Sequence, residues 1–303
     1  MRVLCLTIGI LTLTQGAGYG RAQSLPQPIP AGQLVREVVY NELNDHKGHG
    51  YWRYWIEHNT PKGTRLEEQV ETAEGPITRL SENNGNPLSA EGQRQEEARL
   101  QHLLTSPDEQ AKHRQEYSDD EKRIGRILAL LPDAFLYEYD GEDNGCHRLR
   151  FWPNPEYPAH SIEARIFHAM SGELWVDARF KRLARLDGQL KDNVDFGYGI
   201  LGRLYKGGWF RLQRTQVGAR DWKTERLEVH MSGRAMLFKT IARETSEVRG
   251  GFAPVPPALN LAQGMALLAP AETQAAVQTP AQIQAQIRAR TALIPQAAFS
   301  LHP

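Results

Sequence analysis

From residue 134 to residue 245 the apolar side chains keep returning at every second position. Phe135, Tyr137 and Tyr139 form one such series, and Leu149 and Phe151 another. Ile162, Ala164, Ile166 and Met170 follow, then Leu174, Val176, Ala178 and Phe180. Phe210 and Leu212, Leu227, Val229 and Met231, and Leu237 and Ile241 opposite Met236 and Phe238 complete the run. A period of two is the period of a strand, and strict alternation means a sheet with one apolar and one polar face. Residues 50–58, 64–72 and 76–81 repeat the pattern upstream, with turn signals at Pro61-Lys62-Gly63 and Glu74-Gly75. The count comes to about ten or eleven antiparallel strands. Strand twist accumulates, so a sheet that wide must curl.

Two segments break the period. In residues 31–45, Leu34, Val35, Val38, Val39 and Leu43 recur at helical spacing and predict an amphipathic helix lying on the sheet. Residues 88–131 are rich in Glu, Gln, Arg, Ala and Leu, and Ser106-Pro107-Asp108 divides them into two helices inserted between strands. The fold class is therefore α+β, a strongly curved antiparallel sheet covered by helices.

The two ends read differently from the middle. Met1-Arg2 precedes the apolar run VLCLTIGILTLT (3–14), and Gly20-Arg21-Ala22 offers small residues for a cut near Ala22. That is the pattern of a secretory leader, and the run is too short to span a bilayer comfortably. Removal of residues 1–22 leaves Cys146 as the single cysteine, so no internal disulfide can stabilise the exported protein. The folded domain is expected to cover residues 31–252. Residues 253–303, rich in Ala, Gln and Pro with only Glu272, Arg288 and Arg290 charged, read as a disordered tail. Lysine plus arginine equals aspartate plus glutamate at 36 each, which argues against a nucleic-acid partner.

Several short motifs lack the context that would give them chemistry. Gly197, Gly199 and Gly202 spell G-x-G-x-x-G, and Asp195-Phe196-Gly197 overlaps it as D-F-G. The residues after Gly202 break at Lys206-Gly207-Gly208 and resume as a strand, so neither a dinucleotide loop nor a kinase is indicated. The glycines suit a bend in a curved sheet. Asp45, His46 and His49 are a weak metal signal without a third distant ligand, so no metal or cofactor is expected. Cys146 precedes an arginine-rich strand that could lower its thiol pKa, but neither His147 nor His168 can be placed beside it as a base. No catalytic constellation is recognised, and the chain does not read as an enzyme.

Aromatic residues are plentiful on the strands: Trp52, Tyr54, Phe135, Tyr137, Phe151, Trp175, Phe180, Trp209 and Phe210. Under a helical cover they form a core, a hollow, or both. The stretch SGELWVDARFKRLARLDGQL (171–190) resembles the glycine–apolar–Trp–apolar–Asp strand of outer-membrane lipoprotein-sorting proteins, the LolA/LolB-like group. Gly172, Trp175, Val176 and Asp177 carry the likeness. RLRFWPNPEYP (148–158) and KGGWFRLQ (206–213) fall where that family also has strands, and the resemblance extends over residues 31–245. It implies a half-open β-barrel closed by helices, which holds the acyl chains of lipids or lipoproteins and ferries them across the periplasm. It also implies membrane-associated donor or acceptor proteins as partners.

The residues expected to line an acyl-chain cavity are Trp52, Tyr54, Phe151, Val176, Phe180, Phe210, Leu212 and Val229. The long charged insert and the Ala/Gln/Pro tail are departures from a plain carrier. The first expectation is a soluble periplasmic carrier. The alternative is a periplasmic sensor or scaffold acting through protein partners. An enzyme would need polar groups such as His168 or Asp177 to converge in a cleft.

Overall fold

The computed structural model describes residues 29–44, 50–196, 202–235 and 239–268. Helix α1 (Ala31–Asn44) buries Leu34, Val35, Val38 and Val39, the apolar face expected from their spacing. Strands β1 (Tyr51–Thr60), β2 (Gly63–Val70), β3 (Ile77–Asn83) and the short β4 (Asn86–Pro87) form a meander. Its last turn is Asn84-Gly85, both at positive φ, the dipeptide that matches strand twist in a two-residue hairpin.

Helices α2 (Ala90–Thr105) and α3 (Pro107–Ala134) follow. The Ser89 hydroxyl accepts from the Gly92 N–H to start the first helix, and Ser106 accepts from Glu109 to start the second. Pro107 occupies the first turn of α3, where its missing N–H costs nothing.

Strands β5 (Phe135–Asp143) and β6 (Cys146–Pro153) form a hairpin through a second Asn-Gly turn, Asn144-Gly145. Next comes α4 (Ile162–His168), where alternation predicted a strand over Ile162–Met170. Two signals compete in this segment and the helical one wins. The Ser161 hydroxyl caps the Ala164 N–H, and Ala164 and Phe167, three apart, bury one helix face.

The remaining strands are β7 (Met170–Asp177), β8 (Leu183–Leu190), β9 (Val194–Phe196), β10 (Gly202–Leu204), β11 (Trp209–Gln216), β12 (Trp222–Ala235) and β13 (Lys239–Val255). Phe180 lies in the turn after β7 and not on a strand, because Asp177 Oδ1 accepts from the N–H groups of Arg179 and Phe180 and ends the extended run. The described chain closes with α5 (Leu261–Leu267).

The sheet path is β4-β3-β2-β1-β13-β12-β11-β8-β7-β6-β5, with β10 pairing β12 and β9 pairing β10. Its thirteen strands among the described residues make an open, curved antiparallel sheet, a half-open barrel, with two more strands than the higher expectation. The two ends of the path, β4 and β5, flank the α2–α3 insert in sequence. The helices thus connect one edge of the half-barrel to the other. At 28 residues α3 is about 42 Å long.

The boundary expected at Ala253 falls inside β13, and α5 belongs to the folded domain. Leu259, Leu261 and Leu268 pack with Val70, Ile77 and Leu100 in a second core. The Pro-rich FAPVPP stretch conceals this, because its prolines sit at the end of β13 and in the loop that follows. Asn260 and Gln263 form a capping box that starts α5. The expected leader (1–22), tail residues 269–303, Asp45, His46 and His49, and Met236, Leu237 and Phe238 lie outside the described residues. Gly197 and Gly199 do too. Their flanks, β9 and β10, are antiparallel strands rather than a strand and a helix.

Helix α2 also protects the β3 edge. Glu96 Oε1 accepts from the Leu80 N–H at 2.9 Å and Arg99 Nη2 donates to the Thr78 carbonyl at 2.7 Å. Side chains thus occupy peptide groups that an exposed edge would offer to another strand.

Candidate functional site

Register defines the inner wall of the half-barrel, because opposed residues in an antiparallel pair point to one face. One inner row runs Tyr139–Leu149–Leu174–Leu186–Leu212–Leu227. The next runs Tyr137–Phe151–Gly172–Gly188–Phe210–Val229. On β5 to β8 this wall is closed over. Phe135, Leu149, Phe151, Leu174 and Val176 are buried with α1, and Leu128 and Leu131 of α3 pack on them. Across β11 and β12 the cover thins: Phe210, Leu212, Leu227, Val229 and Met231 are only half-buried.

Helix α3 explains the difference. Its C-terminal part packs with α1, α4 and β5. Nearer its start, Tyr117 and His113 rest on the Gly75 turn between β2 and β3, and Arg114 pairs with Glu74 at 3.1 Å. Tyr117, Ile124, Leu128 and Leu131 recur at spacings of seven, four and three, so they share one side of the helix. Leu128 and Leu131 are packed in the core, whereas Tyr117 is 40% and Ile124 54% exposed. Part of the apolar side of α3 and part of the apolar inner wall at β11 and β12 are thus left incompletely covered.

The expected cavity residues divide into three groups. Phe151, Val176, Phe210, Leu212 and Val229 share the inner wall, the first two fully packed and the other three half-buried. Trp52 and Tyr54 lie on the same sheet face but in a separate cluster with Ile56, Phe252 and Val217. Phe180 is at neither place; its turn is tied to α1 by Asn41, which donates to the Phe180 and Lys181 carbonyls at 3.5 and 3.2 Å.

The motif residues are structural. Gly172 leaves room for the Phe151 ring and the Asp187 carbonyl, and Gly188 does the same for Phe210. Trp175 points to the outer face, under the Arg185 guanidinium at 4.4 Å. Val176 is core, and Asp177 caps its turn.

Other expectations resolve plainly. Cys146 has its thiol pKa pushed up, first by burial and then by Asp177 and Asp143, the reverse of the activation that its arginine-rich strand suggested. His168 Nε2 lies 2.6 Å from the Tyr157 carbonyl, a structural contact. Asp195 pairs with Arg203 across the β9–β10 hairpin at 2.8 Å. Among the described residues no three His, Cys, Asp or Glu side chains converge as metal ligands. A cleft of about 170 Å³ between α2 and α3 is lined mainly by polar side chains, among them Arg99, His102, Lys112, His113 and Glu116.

Two charged clusters escaped sequence reasoning. Glu42 on α1 pairs with both Arg182 and Arg214, at 3.0 and 2.6 Å. On the inner face of β13, β1 and β2, His58 lies between Glu247 (3.6 Å) and Glu67 (3.7 Å). Contact with Glu247 first, and Glu67 second, raises the His58 pKa to about 9, and contact with His58 first, then Arg249, pulls Glu247 down to about 2. Period two already put His58 on the face of Trp52, Tyr54 and Ile56. Its carboxylate partners depend on register, which a single sequence does not supply.

No family model matches the chain, and no curated protein matches it. A solved structure of a DUF1329 family protein from Desulfovibrio piger aligns at 10% identity, over 74% of this chain and 91% of that one, with a TM-score of 0.25. At that score the likeness carries no argument.

Proposed function

We propose that this is an exported, non-enzymatic binding protein, a periplasmic carrier of lipid or acylated lipoprotein. The acyl chains would lie between the middle of α3 and the inner wall of β11 and β12. The observation that supports this reading is that the apolar inner wall at Phe210, Leu212, Val229 and Met231 is only half-buried, while Ile124 of α3 is exposed. Burying ten methylenes there would contribute about 8 kcal/mol before the costs of association. No helix among the described residues is long and apolar enough to cross a membrane. The resemblance of residues 171–190 to the lipoprotein-sorting strand points the same way, although its four motif residues are accounted for by folding alone. Handover would involve membrane-associated donor and acceptor proteins.

The test is native mass spectrometry of the exported protein purified without detergent, followed by organic extraction. A bound mass that extracts as phospholipid or acylated peptide is the expected result. A clean unliganded mass, together with no uptake of a fluorescent fatty acid, would overturn the reading.

A second reading, a sensor or scaffold acting through a protein partner, is favoured by one other observation. Leu136 (41% exposed) and Trp152 (39%) are opposed across β5 and β6 at the free edge of the sheet, with Ile162 (59%) also exposed at the start of α4. Cross-linking from a photoreactive residue at position 152 would trap that partner, and its absence would remove this reading.

A further inference from the structure

The inner wall changes character between β12 and β13. The row that is apolar from Leu149 through Leu227 continues as Glu247 and then His58. One step along β1, Ile56 is opposed by Arg249 on one side and Glu67 on the other. Arg65 lies opposite His58 and 3.2 Å from Glu67, and Arg249 is 2.8 Å from Glu247. With neighbouring strands about 5 Å apart, this charged patch begins one strand from Leu227 and reaches its centre at two.

Two features make the patch unlike a self-contained salt-bridge network. Two arginines, Arg65 and Arg249, balance two carboxylates, Glu67 and Glu247, and protonation of His58 between those carboxylates adds one positive charge in excess. In addition, the Nε–H of Arg249 is buried without an acceptor. A buried guanidinium donor lacking its acceptor is costly, and an anionic oxygen is the group that would satisfy it.

We propose that this patch is the headgroup end of the acyl-chain site, and that the ligand is a phosphate-headed amphiphile. Its acyl chain lies along Leu227, Val229 and Met231, and its phosphate sits against Arg249, His58 and Arg65. This rests on the carrier reading and narrows it from acyl chains in general to a lipid with an anionic phosphate.

The experiment uses the full exported protein, delipidated, with three probes below their micelle concentrations: myristoyl-lysophosphatidic acid, monomyristoylglycerol and glycerol 3-phosphate. Calorimetric titration is expected to give at least about tenfold tighter binding of the lysophosphatidic acid than of the monoacylglycerol, a difference of about 1.4 kcal/mol. Arg249→Gln should abolish that preference. Arg65→Gln, at a more exposed position, serves if the first variant does not fold. Equal binding of the two amphiphiles, or a preference that survives these substitutions, overturns the headgroup assignment while leaving the carrier reading intact. Glycerol 3-phosphate binding as tightly as the lipid overturns it in favour of a free phosphate ester. Failure of both amphiphiles to bind removes the carrier reading and the assignment with it.

Discussion

Glu42 and Arg182 form a two-pronged ion pair under α1, with Nε donating to Oε1 at 3.1 Å and Nη2 to Oε2 at 3.0 Å. Both side chains are less than one-tenth exposed, and Arg214 reaches the same carboxylate. Loss of the carboxylate charge removes the shared ionic partner of two largely buried guanidinium groups. Glu42→Gln is expected to cost about 3–5 kcal/mol in urea unfolding followed by circular dichroism. A cost below about 1 kcal/mol would mean that solvent reaches the pair freely.

Stability should depend on pH through the His58 cluster. The His58 pKa is raised from 6.5 to about 9, so its contribution is complete below 6.5 and is lost as pH rises through 9. Glu247 is lowered from 4.5 to about 2, so its contribution is complete above 4.5 and is lost as pH falls through 2. Unfolding free energy should therefore decline from pH 6.5 to 9 by about 1–2 kcal/mol, allowing for solvent screening of a partly exposed group. In His58→Gln that alkaline decline should disappear; an unchanged profile would refute the assignment.

Glycines on the inner wall should differ in tolerance. A methyl at Gly172 would meet the Asp187 carbonyl, which is held in the β7–β8 ladder, whereas at Gly208 it would meet the movable Met231 sulfur. Gly172→Ala is expected to destabilise by about 2–3 kcal/mol and Gly208→Ala by under about 1. The comparison is read from thermal midpoints of the two variants.

A charge should act differently at the packed and open parts of the wall. Val176 is 0% exposed, and Val176→Asp should prevent folding, at about 4 kcal/mol or more. Val229→Asp and Ile124→Asp should fold but take up a fluorescent fatty acid about tenfold more weakly or worse. Unimpaired uptake by both folded variants would place the ligand elsewhere.

Residues after Ala253 should matter to stability. Leu261 (3% exposed) and Leu268 (1%) complete the second core with Val70, Ile77 and Leu100. Leu261→Ala and Leu268→Ala should each cost about 2–4 kcal/mol in urea unfolding.

The sequence revealed what is local and withheld what depends on pairing. The alternation of Leu149 with Phe151 and of Leu227 with Val229 was enough for a curved sheet, and Ser106-Pro107 located the break in the insert. At Ile162–His168, spacings of two and three were both present, and only the Ser161 cap distinguished them. Asn260 and Gln263 offered a comparable capping signal for α5, obscured by the prolines just before it. Phe180 was misplaced because the Asp177 turn is a side-chain effect that apolar periodicity does not register. Glu42 lies 140 residues from Arg182, and His58 meets Glu247 through strand register; nothing local marks either pair.

The α2–α3 insert has one further consequence. It joins the two edges of the sheet in sequence, and α3 is held near its start at the Gly75 turn and toward its end by α1, α4 and β5. The separation of those supports is thus recorded as a number of residues in one helix. Inserting or deleting a turn would move its supports by about 5.4 Å without altering a single strand pairing. Gain or loss of a few codons in a solvated segment would then shift the helix supports while the sheet that carries the fold stays constant.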